Sequence, residues 1–223
     1  MKKFLLKFVL FLGYAVMNNG IDRSSASYNG STHLQNQSFS MLTVNGSSHL
    51  LNIDALDTIV RGALNANKCK FKTLQVFGGV SLEESIILEE LHVNGGCHVN
   101  QSEFKHVTIN GGFHVECSKV KGKTIINGGI HGIHTEFKDI IICASEIVLD
   151  CCKIFGSLTI KEVEQSWYCF AIFPVFCKKQ ELKLTDTIVD GDVVFEKKDG
   201  LIYLNGKSKI KGKIVNGKVV TSK

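Results

Sequence analysis

Proline is nearly missing from this chain: one residue in 223, against 21 glycines. That contrast excludes a Pro-rich linker or a collagen-like chain and argues for many repeated turns. Charge of one sign is scarce too. Twenty-six basic and 21 acidic residues leave a net charge of +5, too little to mark a nucleic-acid groove, so no nucleic-acid partner is expected. No apolar run reaches the roughly 20 residues that a bilayer-spanning helix needs. Catalytic fingerprints are also lacking. There is no G-x-S-x-G, phosphate-binding loop, dinucleotide fingerprint or H-E-x-x-H, and no C-x₂-C pair of a zinc ribbon. The sequence is read as a non-enzyme without a cofactor. With 44% hydrophobic and 21% charged residues, the composition belongs to a folded chain.

The N-terminus starts with Lys2 and Lys3. Residues 4–17 then read FLLKFVLFLGYAVM, apolar apart from Lys7 and Gly13. This is the positive start and short apolar core of an export signal, with small residues at Ser24, Ser25 and Ala26 for cleavage. Residues 1–26 are therefore expected to be a signal peptide or an N-terminal anchor or cap helix. The expected location is secreted or periplasmic, or membrane-anchored if the segment is kept. Residues 27–41, rich in Ser and Asn, are expected to form a flexible polar leader.

What is present is a repeat. LQVFGGVSL from Leu74, LHVNGGCHV from Leu91, VTINGGFHV from Val107 and TIINGGIHG from Thr124 start 17, 16 and 17 residues apart. An earlier copy, TVNGSSHL, starts at Thr43. Within a copy the apolar residues alternate, which indicates strands buried on one face. Asn-Gly-Gly supplies a corner. A hairpin would reverse the chain and would not return the same parity every 16 or 17 residues. A third apolar position (Ile87, Phe104, Val120, Phe137) marks a third short strand. The fold class is all-β: a single-stranded parallel β-solenoid (β-helix) with about 16–17 residues per coil, over residues 42–160. Leu74, Leu91, Val107 and Ile140 should stack one above another. So should Val76, Val93, Ile109, Ile126 and Ile142, and likewise Val80, Cys97, Phe113 and Ile130.

Outward positions carry ladders. Glu103, Lys119, Glu136 and Lys153 alternate in sign one period apart, which suits parallel in-register pairing. Asn45, Asn94, Asn110 and Asn127 form a corner ladder. His98, His114 and His131 form a column, with His49 in the earlier copy. Such a column could bind Zn, Cu or Ni, although a solvated ladder is the plainer reading and no metal is assigned. Stacked histidines also make a pH-sensitive surface. The eight cysteines are read mainly as free thiols, with Cys169–Cys177 the one disulfide candidate. Cys117 and Cys151 lie two coils apart, beyond disulfide reach.

Residues 161–181 break the pattern. This aromatic insertion holds Trp167, Tyr168, Phe170, Phe173 and Phe176. The outward positions of the first strand become apolar along the axis, from His92 and Thr108 to Ile125 and Ile141. The insertion is expected to fold over that flank. The other reading is that it contacts another protein or a membrane surface. Residues 182–220 read as two or three further coils of the same solenoid.

In this last stretch Ile188-Val189-Asp190-Gly191-Asp192-Val193 and Ile210-Lys211-Gly212-Lys213-Ile214 repeat a hydrophobic step around a glycine. The chain thereby resembles the bactofilins, a family of polymer-forming bacterial proteins. The resemblance is good over 182–217 and architectural over 42–160. It implies end-to-end or lateral self-assembly without nucleotide. The expected role is an exported structural or interaction protein that presents a rigid solenoid surface. A carbohydrate-binding or carbohydrate-active β-helix is the alternative.

Overall fold

A computed structural model describes residues 24–162 and 179–220. These form a parallel β-solenoid of about 11 turns, and no described residue is helical. Every strand pairing is parallel. Each coil has three faces. In one coil, face A is residues 91–94, corner 1 is 95–96, face B is Cys97–Asn100, corner 2 is 101–102, and face C starts at Glu103. Face C then runs through corner 3 into the next face A as one strand, Glu103–Asn110. Three separate strands per coil were expected. Through the first eight coils the third and first are continuous, with a register shift instead of a break at corner 3 in several of them.

The expected stacks are present. Leu74 pairs with Leu91, Leu91 with Val107, and Thr124 with Val107 and Ile140. Val93, Ile109, Ile126 and Ile142 are wholly buried in their own column. Phe113 stands between Cys97 and Ile130. On face C, Phe104 stands between Ile87 and Val120, which abuts Phe137. One coil alone shields little apolar surface, whereas stacking removes each inward side chain from water, worth about 1.5–3 kcal/mol for a large one.

Two stretches differ from expectation. Residues 27–41 are no leader: Ser24–Asn29 and Thr32–Asn45 are strands that pair in register with the coils after them. Apart from the exposed Met41 their outward side chains are mostly polar, but Leu34, Phe39, Leu42 and Val44 alternate inward and are buried. The coil length also changes. It is 16 or 17 residues up to Ile154 and 18 from Ile142 to Ile160, but Leu182 to Ile202 is 20 and Val189 to Ile210 is 21. Longer corners at 196–199 and 206–208 take up the extra chain. The signal or cap-helix segment lies outside the described residues, apart from Ser24–Ala26, which are already strand.

Corner 2 carries a buried polar spine that periodic reading missed. Its first residue is left-handed in nine coils, with φ from 46° to 54°, for example Asn52, Gln101 and Asp186. Side chains rarely adopt that region. From Lys68 to Asp186 each such N–H donates to a carbonyl of the next coil, as Gln101 does to Glu116 at 3.1 Å. After Gln37 and Ile53 in the first two of these coils, the second residue is a buried, inward-pointing Ser, Thr or Cys from Cys69 to Thr187. The Ser102 hydroxyl donates to the Asn100 carbonyl at 2.8 Å and accepts from the Ser85 N–H at 3.0 Å. Ser118 and Thr187 repeat both bonds. Backbone groups that the bend would strand inside the core are thus satisfied.

Candidate functional site

Corner 1 holds two glycines in each of four coils, and they differ in kind. The first is required. Gly111 has φ +154°, and a Cβ there would run into the Gly95 carbonyl oxygen of the preceding coil. The same holds at Gly46, Gly62, Gly78, Gly95 and Gly128. The second glycine is not required. At Gly79, Gly96, Gly112 and Gly129 a Cβ would meet nothing within 4 Å, and none has a positive φ. Equivalent corners place Ser31, Ser47, Ala63 and Ser145 there. A bare backbone loses about 0.5–1 kcal/mol relative to alanine through chain entropy, so these four glycines cost stability for no conformational return.

Their effect is an open trough of about 770 Å³, running along the solenoid axis over Gly79, Gly96, Gly112 and Gly129. Its bank is face B, with His98, His114 and His131 and, one coil on, Val148 and Glu146. Parallel register sets the spacing: His98 pairs with His114, and His114 with His131. The first two rings stack at 4.8 Å and 6°, and the next pair is edge-on at 5.0 Å and 67°. A second stack, His33 on His49 at 4.8 Å, stands on the same face three coils earlier. Its first member lies in the stretch read as leader. Across the corner stand the asparagines, with Asn110 donating to Asn94 at 2.6 Å and Asn127 to Asn110 at 2.7 Å.

Carboxylates sit behind the histidines. His114 Nε2 lies 2.7 Å from Glu116 Oε1, and His131 Nε2 lies 3.4 Å from Asp150 Oδ2. The hydrogen bond from His114 holds the Glu116 carboxyl below its usual range, and the nearby imidazoles add to this. Glu146 bonds Lys183 at 2.6 Å, which raises the Lys183 ammonium. The histidines therefore face one another and a neighbouring carboxylate. Among the described residues no group of three or more His, Cys, Asp or Glu is placed to hold a metal ion.

The other expected positions separate into those described and those not. Ile125 and Ile141 pair across coils on the outside of face A and are half-buried. Trp167, Tyr168, Phe170, Phe173 and Phe176 lie outside the described residues, as do Cys169 and Cys177. The insertion leaves and rejoins the solenoid at corner 1. There Gln180 Nε2 donates to the Ala144 and Lys161 carbonyls at 3.0 and 2.6 Å. Cys69, Cys97, Cys117, Cys143, Cys151 and Cys152 are free thiols. Burial raises the Cys97 thiol and pushes Cys152 up to about 11, so both act as small apolar core residues. In the charge ladder Lys119 bonds Glu136 at 2.6 Å, while Glu103 is taken by Lys121. Lys153 lies over the Phe155 ring at 4.2 Å.

Compared with protein-family models, curated proteins and solved structures, the chain matches none. The bactofilin resemblance is thus one of architecture, a parallel β-solenoid, and membership of that family is not established.

Proposed function

We propose that this chain is a non-enzymatic binding scaffold that holds an extended partner along the trough at corner 1. The observation that carries the reading is the column of Gly79, Gly96, Gly112 and Gly129, which leaves the trough floor bare although the fold accepts side chains there. A stacked core supports rigid presentation, since among the described residues successive coils are clamped together by parallel ladders. The titratable groups beside the trough are spent on one another, which suits recognition better than proton transfer. Export, read from residues 2–17, belongs to the same proposal and places the scaffold outside the cytoplasm.

The test fills the trough. Gly96→Ile with Gly112→Ile adds side chains where open space exists. The purified full chain and this variant are screened against neutral glycans, acidic glycans, uncharged peptides and single-stranded DNA. The reading expects the parent to bind one class and the variant to lose it with its thermal stability kept. Equal behaviour of the two toward every probe contradicts it.

A second reading, end-to-end assembly, is favoured by one observation. The inward columns that are sealed in earlier coils end in Ile214 and Val219, 37% and 45% exposed. Sedimentation that shifts with concentration, and is abolished by Val219→Lys, would support it. A concentration-independent monomer would refute it.

A further inference from the structure

Resting on the trough reading above, we infer that its occupant is an uncharged linear glycan, laid along the solenoid axis with about one sugar ring per coil. Three observations carry the choice. The first is period. The four bare glycines recur at the coil step of about 4.8 Å, so Gly79 to Gly129 covers roughly 14 Å. Rings of an extended glycan recur at an interval close to that step. A polypeptide laid along the same axis repeats its same-side residues at about 6.6 Å and drifts out of phase with the columns.

The second is charge. Glu116 and Asp150 stand behind the histidine bank, with Glu146 at its end. His114, His131 and Lys183 are already paired with these carboxylates, so the bank offers a polyanion little cationic attraction, which disfavours nucleic acid and acidic glycans. The third is chemistry. Sugar hydroxyls both donate and accept, and the bank offers both functions through the imidazoles of His98, His114 and His131 and the Glu146 carboxylate. A flat ring with its C–H face down needs a floor without side chains, and the glycine backbone provides one.

The experiment is calorimetric titration of the full chain with neutral oligosaccharides of the cello-, xylo-, manno- and chito- series, from dimer to hexamer. An oligogalacturonate and an uncharged extended peptide serve as comparators. In at least one neutral series the affinity should climb up to the tetramer and then level off, because the glycine floor spans four coils. Gly96→Ile/Gly112→Ile should weaken the tetramer by about tenfold or more, whereas Ser47→Ile, on the same corner three coils earlier, should leave it unchanged. His114→Ala should weaken it less. Absence of binding by every neutral series overturns the inference, as does affinity independent of length. Trough-dependent binding of the peptide or the oligogalacturonate overturns the glycan while the scaffold reading stands. Trough-independent binding of all probes sinks both.

Discussion

Before the insertion, a column of glycines stacks backbone on backbone at corner 1, from Gly46 to Gly128. From Gly156, just ahead of the insertion, such a column stands at corner 3 instead, where Gly191 lies against the Gly156 carbonyl and Gly212 against that of Gly191. The switch falls where Ala144 takes the corner-1 position and Gln180 braces the root of the insertion. Corner 2 keeps its hydroxyl spine on both sides of the insertion, from Ser85 through Thr135 to Thr187 and, at a longer turn, Ser208. A three-sided coil thus needs one corner where backbones nearly touch and one that is polar and sealed. Which of the other corners is tight varies along the solenoid, and the trough lies at the tight corner 1.

The largest effect should come from attacking the tight corners. Gly111→Ala combines a φ of +154° with a backbone clash and should cost about 3 kcal/mol or more. Gly191→Ala meets the same kind of clash without a positive φ and should cost less. Denaturant unfolding of both variants checks this, and equal losses would remove the distinction. Next comes the shared corner. Ser102→Ala strands the Ser85 N–H and should cost about 1–3 kcal/mol, with Thr187→Val, which strands the Cys152 N–H, costing a similar amount on the other side of the insertion. Gly112→Ala, one residue from the damaging change, should instead be neutral or stabilise by up to about 1 kcal/mol. A loss there would mean that the fold needs the second glycine.

The smallest effect concerns pH. Glu116 is held below its usual range, first by the His114 hydrogen bond. Its contribution is therefore full above the unfolded carboxyl pKa and is lost as pH falls through the lower folded value. Glu116→Gln should flatten that part of the stability–pH curve on the trough side. Asp190, held down by Lys211 beyond the insertion, should show the same sign in Asp190→Asn. Thermal unfolding from pH 2 to 7 reads both.

Much of this was legible in the sequence because each coil repeats a strict inside–outside alternation. Val93 and Ile109, or Phe104 and Val120, could be placed one above the other from spacing alone. The spine was not legible, since Ser85, Ser102, Ser118 and Thr135 are polar residues in a core, even though they keep the 17, 16 and 17 spacing. The first coils were hidden by outward Ser, Asn and Gln, although His33 and His49 keep the period of 16. Glycine identity told where a corner lay but not which glycine was needed. That depends on distance to the preceding coil, which only the stacked structure supplies.

The central claim is vertical register, and distances between spin labels test it most directly. The outward positions Gln35, Glu116, Asp150 and Thr185 lie on one column of face B. With native exposed thiols removed, Gln35–Glu116 should give about 24 Å, Gln35–Asp150 about 34 Å and Gln35–Thr185 about 38 Å, at about 4.8 Å per coil. The last step crosses 35 residues for one coil of distance. A Gln35–Thr185 distance shorter than Gln35–Asp150, or one longer by far more than a single coil, would contradict the account.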